Sequence, residues 1–307
     1  MAMIRTTAGD IAPPEDGYVL AHEHVHTDLK SVRDGGGRQA TVAEIEEVTL
    51  PKLERAAAAG VKLLIECTPP YVGYHPEAVH AATTAAGIAL VVATGLYKDD
   101  HQPDWAHRAK EAALAEWMEG AITEGWAGGW KAGFIKLAVT DRGVTDQERK
   151  VLRAAITASK STGAPIAVRC PVGANALAYL DEMEVAGLDA DRFLQVHAHA
   201  EDDFDTHLEV LRRGGWIEYD LIGSPRFTDD FFVKLIRRVL EAGFGDRLLL
   251  SQDVCGYLVD RDPPFDMREY AYLFTDFVPR LAVSGVGAGD RDRLLRANPG
   301  RFFSLRE

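Results

Sequence analysis

Short apolar runs rich in Val, Ile and Leu alternate along the chain with longer segments in which Ala, Leu and Glu recur at helical spacing. A short β-branched run between breaker residues predicts a strand, and apolar positions three and four residues apart predict a helix. The pattern predicts eight strands, at residues 18–22, 61–67, 88–93, 134–139, 165–169, 193–197, 216–219 and 247–251. Each is followed by a predicted helix, at residues 41–59, 75–86, 105–124, 146–161, 175–185, 203–213, 230–242 and from about 268.

The regular alternation of strands and helices determines the predicted fold class. Strands separated by helices pair in parallel, and eight such units close into a (β/α)8 TIM barrel of about 250 residues or more. The chain has 307 residues, and no change of composition along it indicates a second domain. A doubly wound open sheet is the alternative, but no glycine-rich phosphate-binding turn follows the first predicted strand. We therefore expect one α/β barrel domain over residues 1–307.

The charge of the chain limits its partners. Its 47 acidic and 34 basic residues give a net charge of −13, whereas nucleic acids and anionic membranes attract basic surfaces. No apolar run approaches the length that spans a bilayer, and the first residues lack the apolar core of a signal peptide. The three cysteines are few and widely spaced, so we expect no disulfide framework. A cytoplasmic protein with a small-molecule substrate is the expectation.

Two histidines, His22 and His24, lie at the end of the first predicted strand. Residues two apart on a strand point to the same face, because side chains alternate with period 2. Two neighbouring imidazoles at a strand end provide half of a divalent-metal site. Taken alone, the pair fits equally well two polar residues in a loop.

Further polar residues lie in or just after other predicted strands, whose carboxyl ends share one rim of a barrel. Lys136 lies within an otherwise apolar strand, where an ammonium group is unfavourable unless it is paired or modified. Either it forms a salt bridge with Glu66 or Asp253, or a lowered pKa lets it react with carbon dioxide to give a metal-bridging carbamate. Asp253 alone fits a helix cap and His197 alone fits a core histidine, but their common rim favours a metal site.

Four segments, in this order and spacing, resemble the phosphotriesterase-like family, a branch of the amidohydrolase superfamily. They are GYVLAHEHVHTDL at 17–29, AGFIKLAV at 132–139, LLLSQD at 248–253 and NPGRFF at 298–303. The resemblance covers essentially the whole chain. It implies a (β/α)8 barrel that holds two divalent metal ions, zinc first, or else manganese, cobalt or iron. Members of the family are often homodimers, which makes a homodimer one expectation.

The resemblance also implies roles for individual residues. The more buried ion would be held by His22, His24 and Asp253. Lys136, as its carbamate, would bridge to the outer ion, which His197 would also ligate. Tyr97 matches a tyrosine that lies near the metals in the lactonase members.

One departure from the family pattern is Arg169, which stands at the end of the fifth strand in place of a metal-ligating histidine. A guanidinium group stays protonated and cannot ligate a metal. One interpretation is that His199 replaces the lost ligand, because it lies two residues after His197 and would share its face. A second is a mononuclear site in which Arg169 binds a substrate carboxylate or phosphate, or neutralises an oxyanion. A third is a structural network that pairs Arg169 with Glu66, Glu218 or the carbamate of Lys136.

Together these residues predict a metal-dependent hydrolase, because a divalent metal acidifies water towards neutral pH. Asp253 would take the proton of the attacking water and pass it to His199 or Asp220, while Arg169 or the metal polarises the substrate. A carboxylic ester or lactone is the first choice of substrate, since lactonase activity is the commoner one in the family, and an amide or phosphoester comes next. Two alternatives remain open: a mononuclear hydrolase or lyase acting on an anionic substrate held by Arg169, and a binding protein without catalysis.

Overall fold

The computed structural model describes residues 3–30, 40–126, 128–259 and 261–306. Its strands are β1 (Met3–Thr6), β2 (Gly9–Ile11), β3 (Tyr18–Thr27), β4 (Val61–Glu66), β5 (Ala89–Thr94), β6 (Phe134–Ala138), β7 (Ile166–Arg169), β8 (Phe193–Val196), β9 (Trp216–Tyr219), β10 (Leu248–Leu250), β11 (Cys255–Leu258) and β12 (Ser304–Leu305). Nine of them form one parallel sheet in the order β10-β9-β8-β7-β6-β5-β4-β3-β11. Apart from the pair β3 and β11, neighbours in the sheet are consecutive in the chain, as in a β/α barrel.

The last barrel strand is interrupted, and it closes the barrel. Its halves, β10 and β11, are separated only by residues 251–254. β10 pairs with β9 and β11 pairs with β3, so this strand joins the two edges of the sheet. Within the interruption the amide of Ser251 donates to the carbonyl of Tyr219, and the amide of Asp253 donates to the carbonyl of His22. The predicted (β/α)8 barrel is confirmed.

The helices are α1 (Val42–Ala58), α2 (Pro76–Ala85), α3 (Asp104–Arg108), α4 (Glu111–Thr123), α5 (Asp146–Thr162), α6 (Gly173–Val185), α7 (Phe204–Arg212), α8 (Asp229–Glu241), α9 (Val278–Val283), α10 (Ala288–Asp292) and α11 (Asn298–Phe302). Helices α1 and α5 are preceded by Thr41 and Thr145, each of which forms a capping box with a glutamate of the first turn. Among the described residues no helix is long and apolar enough to cross a bilayer.

The prediction of one long helix over 105–124 is wrong, because the structure has two helices, α3 and α4. Ala109, just after α3, has extended backbone angles. The ammonium group of Lys150 in α5 donates to the carbonyl oxygens of Ala106, His107 and Ala109 at 3.0, 3.0 and 3.1 Å. Because the last carbonyl groups of a helix need partners outside it, this lysine stabilises a helix end at that point.

An antiparallel sheet of β1, β2 and β12, which the sequence pattern did not predict, accompanies the barrel. Ile4 of β1 belongs to the same buried apolar cluster as Phe134, Trp216, Phe302 and Phe303. This cluster includes the inward-facing apolar residues of the barrel strands. The interior is therefore apolar at this level, and its polar side chains lie towards the carboxyl ends of the strands.

A register shift in the first barrel strand, between Leu20 and Glu23, separates the apolar and polar parts of the interior. The shift occurs in the pairing of β3 with β4. Ala21 belongs to the interior apolar cluster, whereas His22 and His24 line a cavity at the carboxyl end. An extra residue in a strand changes which side chains face a given side. Here it lets Ala21 and His22 both face the interior.

Candidate metal centre

The carboxylate of Glu23 holds the interruption of the last strand in place. It accepts hydrogen bonds from Ser251 Oγ at 2.9 Å and from the backbone amides of Gln252 and Val254 at 3.2 and 2.7 Å. Between these amides Asp253 has a φ angle of 50°, in the left-handed region that aspartate adopts more readily than most residues. The side chain of Asp253 lines the cavity at the carboxyl end of the barrel.

His22, His24 and Asp253 form a cluster of possible metal ligands. Asp253 Oδ1 lies 3.1 Å from His24 Nε2 and 3.6 Å from His22 Nε2. Each of the three residues offers a ligand atom within 4.8 Å of the others. Two imidazoles and a carboxylate are a donor set that zinc and similar divalent metals accept. The structure thus brings together the three residues predicted for the more buried ion.

The Nδ1 atoms of His22 and His24, on the side of each ring away from Asp253, have hydrogen-bond partners that fix the orientation of the two rings. His22 Nδ1 lies 2.9 Å from Glu218 Oε2, and His24 Nδ1 lies 2.7 Å from Thr68 Oγ1. The hydroxyl of Thr68 donates to the carbonyl of His26 at 3.2 Å, so its oxygen accepts the Nδ1–H of His24. With Nδ1 protonated, the Nε2 atom of each ring keeps its lone pair for a metal.

The protonation states of the cluster suit a cation. Burial opposes ionisation of Asp253, but its close contacts with His24, His22 and His197 outweigh burial and hold the pKa of this carboxyl well below its usual value. Burial, helped by the nearby charge of Lys136, lowers the pKa of His22 well below its usual value. The site therefore offers an ionised carboxylate and a neutral imidazole, the forms that bind metal.

Lys136 is buried beside this cluster, with Nζ 3.2 Å from His22 Nε2. The salt bridge to Glu66 or Asp253 that we considered from sequence does not form, because Lys136 has no ion pair with any described residue. The carboxylate of Glu66 instead accepts hydrogen bonds from the amides of Val25 and Thr68 at 2.7 and 3.2 Å. A buried amine without an anionic partner, next to three ligand groups, is consistent with a role at the metal site.

His197 follows β8 with a φ angle of 63°, so the strand ends one residue earlier than predicted. Asp220 accepts hydrogen bonds from its backbone amide at 2.9 Å and from Nδ1 at 2.5 Å. Burial opposes ionisation of Asp220, but the charge of His197 outweighs it and lowers the pKa to about 2. His197 Nε2 lies 4.0 Å from Asp253 Oδ2, and His197, Asp220 and Asp253 form a second candidate ligand cluster.

The prediction that His199 shares a strand face with His197 is wrong. The left-handed conformation of His197 ends the strand, and Ala198–Ala200 form a single 3-10 turn. The two rings are 6.1 Å apart and nearly perpendicular, and His199 packs against the rings of Phe227 and Phe232. His199 lines the cavity, but in the described part of the chain it joins no cluster of ligand atoms.

Arg169 is the last residue of β7 and lines the cavity, as predicted. Its guanidinium donates to Asp141 Oδ1 at 2.6 Å and to the carbonyl of Val139 at 3.4 Å. The network with Glu66, Glu218 or Lys136 that we considered is therefore wrong, because the partner comes from the loop after β6. Asp141 was not foreseen, since nothing in the strand pattern indicates how that loop folds.

Tyr97 also lines the cavity, which has a volume of about 340 Å³. Burial raises the pKa of Tyr97 to about 12, so its hydroxyl remains a hydrogen-bond donor at neutral pH. The cavity lies where active sites of β/α barrels form. Every residue predicted to bind metal or substrate lines this cavity, whereas the predicted relay Asp220 contacts His197 Nδ1 and does not line it.

Sequence reasoning did not single out Glu23 and Thr68 as parts of this centre. The sequence did contain a signal for Glu23. It lies between His22 and His24, which face inward, so its own side chain points the other way, into the layer between the sheet and the helices. A buried carboxyl group there needs several hydrogen-bond partners, and the loop with Asp253 supplies them.

The chain is similar over most of its length to proteins of one family. The profile of the phosphotriesterase family matches residues 2–303. The phosphotriesterase homology protein of Escherichia coli is 29% identical over 301 residues, covering 94% of this chain and 98% of that protein. Its crystal structure, with phosphate in the active site, has a TM-score of 0.83 over the same shares of the two chains. The aryldialkylphosphatase of Saccharolobus solfataricus is 27% identical over 300 residues, covering 94% and 95%.

A further solved structure, described as molecular engineering of organophosphate hydrolysis activity from a weak promiscuous lactonase template, is 26% identical. It has a TM-score of 0.87 and covers 98% of this chain and 99% of its own. The barrel and its rim of histidine, lysine and aspartate thus define a metal-site hydrolase. The chain belongs to the phosphotriesterase family.

Proposed function

We propose that the protein is a metal-dependent hydrolase of carboxylic esters, with lactones as its first substrate class. The observation that carries this proposal is the cluster of His22, His24 and Asp253, whose ligand atoms converge at the carboxyl end of the barrel. The likeness to a structure built on a lactonase template supports the choice of lactones. Amides and phosphoesters are the next classes to test.

His22, His24 and Asp253 would hold one divalent ion, with the amine of Lys136 beside it. A second ion would lack its strand-five ligand, since Arg169 donates to Asp141 instead. Asp220, which belongs to the second cluster, already accepts two hydrogen bonds from His197. When bound, the ion would acidify a water molecule and polarise the carbonyl oxygen of the substrate.

The residues of the chain would then move the proton. Asp253 directs Oδ1 towards His22 and His24, and its Oδ2 faces His197 Nε2 at 4.0 Å. Oδ2 would accept the proton of the attacking water, and His197, oriented by Asp220, would carry it away. Tyr97 would donate a hydrogen bond to the substrate, because its hydroxyl stays protonated at neutral pH.

The test combines metal analysis with turnover of a panel of lactones, aryl esters, amides and phosphotriesters. The protein is produced with zinc, manganese or cobalt supplied, and metal per chain is measured by elemental analysis. We expect about one ion per chain and lactone hydrolysis that a chelator abolishes and added metal restores. Hydrolysis that persists in a metal-free protein, or a protein that binds no metal, would overturn the proposal.

A further inference from the structure

The cavity that holds the metal cluster has an unexpected balance of charge. The chain as a whole carries a net charge of −13. Its cavity, by contrast, is lined by three basic residues, Lys136, Arg169 and Arg226, and one acidic residue, Asp253, among the described residues. A cavity lined by more basic than acidic side chains, in a protein that is acidic as a whole, favours an anionic ligand.

Arg226 is the first residue that contributes positive charge to the cavity. Its side chain is exposed and lines the cavity, and it has no ion pair or side-chain hydrogen bond with a described residue. The turn that carries it is well anchored. The amide of Phe227 donates to the carbonyl of Ser224, and the ring of Phe227 packs 5.1 Å from Phe231 and 5.0 Å from His199. The guanidinium group of Arg226 is therefore carried by a turn that packing holds in place.

Arg169 is the second such residue, and it already holds a carboxylate. Its side chain is 18% exposed, and its partner Asp141, at 2.6 Å, is 53% exposed. A half-exposed carboxylate can turn into solvent at little cost, because exposed ion pairs contribute at most about 1 kcal/mol. The carboxylate of a ligand can therefore replace that of Asp141 on the same guanidinium.

His199 is a third residue of the cavity. Its ring is fully buried and lines the cavity, and neither ring nitrogen has a hydrogen-bond partner in the described part of the protein. A buried polar group without a partner is unfavourable, and a ligand atom is one way to satisfy it. The ring contacts Phe227, the residue next to Arg226.

We propose that Arg226, Arg169 and His199 form an anion subsite that holds a carboxylate group of the substrate. This inference rests on the proposed function, and it specifies that the favoured esters and lactones are carboxylated. The ester carbonyl would lie at the metal cluster while the carboxylate displaces Asp141 from Arg169. A carboxylate is the group chosen because Arg169 already accommodates one at 2.6 Å.

The experiment compares two substrates of the same shape, 5-oxotetrahydrofuran-2-carboxylate and its primary amide, with the metal-loaded full chain. Three variants are tested beside the wild type: Arg226→Gln, Asp141→Asn and the control Arg142→Gln, which removes one positive charge next to Asp141 without touching the cavity lining. Binding of tetrahydrofuran-2-carboxylate and its amide, which lack the lactone carbonyl, is measured by calorimetry as a readout that does not depend on turnover.

We expect the wild type to prefer the carboxylate over the amide by about tenfold or more in kcat/KM, as for a charge-assisted hydrogen bond. Arg226→Gln should remove most of this preference, Arg142→Gln should leave it, and Asp141→Asn should tighten binding of the carboxylate probe by freeing Arg169. Equal effects of Arg226→Gln and Arg142→Gln would overturn the subsite, since a general field would then explain the preference.

The remaining outcomes separate this inference from the proposed function. If neither lactone is hydrolysed but the carboxylate probe binds in a manner that depends on Arg226, the subsite stands and the lactonase reaction fails. If both lactones are hydrolysed equally well, the reaction stands and the subsite fails. If inorganic phosphate competes with the probe and binds more tightly than it in an Arg226-dependent manner, the choice of a carboxylate is wrong.

Discussion

Glu218 Oε2 lies 2.9 Å from Nδ1 of His22, with both side chains fully buried behind the metal cluster. The other oxygen, Oε1, has no hydrogen-bond partner in the described residues. Burial, helped by the charge of Asp220, raises the pKa of Glu218 well above its usual value. A carboxyl group behind a ligand histidine fixes the tautomer of the ring and its orientation. Strand β9 therefore supports the metal site from the side away from the cavity.

The first prediction concerns this pair. Glu218→Ala should weaken zinc binding by about 10- to 100-fold, because His22 loses the acceptor that orients its ring. Glu218→Gln keeps an acceptor oxygen and should bind zinc more tightly than the alanine variant. The measurement is competition for zinc with a chromogenic chelator.

Glu148→Gln provides the matched control, because it changes a buried carboxyl group at the start of α5 that contacts no candidate ligand. Its affinity for zinc should equal that of the wild type. The same affinity in Glu218→Ala would show that the contact with His22 has no part in metal binding.

The second prediction is the response to loss of the metal or of its ligands. His22→Asn and His24→Asn should each abolish hydrolysis and the bound ion. A chelator should lower the melting temperature of the wild type, since an ion at 100 times its Kd adds about 2.7 kcal/mol to stability. The two variants should melt near the temperature of the chelated wild type and should not respond to chelator. His80→Asn, a change beside Thr7 and outside the cavity lining, should retain both activity and the chelator effect.

The strand pattern and a few residues were enough to predict the fold and the rim of the site, because both depend on local periodicity. The eight strands and the positions of His22, His24 and Arg169 follow from period 2 and from where each apolar run ends. The pattern failed where backbone angles depart from a regular strand. The left-handed angles of His197 and Asp253 and the register shift in β3 arise from contacts between distant strands, such as those of Glu23 with the loop after β10. Such contacts leave no periodic signal in a single sequence.

The third prediction concerns Glu23. Glu23→Ala would leave two buried amides, those of Gln252 and Val254, without their acceptor, whereas Ser251 Oγ can still donate to the carbonyl of His22 at 3.0 Å. At about 1–3 kcal/mol for each unsatisfied group, the free energy of unfolding should fall by at least about 2 kcal/mol. Urea unfolding measures this change. Glu47→Ala, an exposed change on α1, should stay within about 0.5 kcal/mol of the wild type. A similarly small effect for Glu23→Ala would mean that the loop holds Asp253 without it.

The fourth prediction concerns pH. His207 is buried, with Nε2 3.0 Å from the carbonyl of Glu201 and Nδ1 2.9 Å from the hydroxyl of Tyr219. Nε2 must donate to the carbonyl, so in the neutral ring Nδ1 accepts from the hydroxyl of Tyr219. Burial accordingly lowers the pKa of His207 below its usual value of 6.5.

Because the folded pKa is lowered, the unfolded chain binds a proton at His207 that the folded chain does not. The stability that this histidine contributes is present above pH 6.5 and is lost as the pH falls towards the folded pKa. In this window the free energy of unfolding should decrease by up to about 1.4 kcal/mol per pH unit from this group. Urea unfolding of His207→Gln at several pH values should show a slope that is smaller by this amount. An unchanged slope would mean that His207 titrates alike in both states.

The last prediction tests whether Arg169 determines the number of metal ions. The resemblance to the family implies a metal-ligating histidine at this position, and the neighbouring His197, Asp220 and Asp253 already offer ligand atoms within 4.8 Å of one another. Arg169→His should therefore raise the metal content from about one to about two ions per chain, because an imidazole at a strand end completes a set of nitrogen and oxygen donors. Arg169→Met is the matched control, since it removes the same charge but adds only a weak ligand, and its metal content should remain at about one. Two ions in the wild type, or one in Arg169→His, would show that the residue at the end of β7 does not decide how many ions the barrel holds.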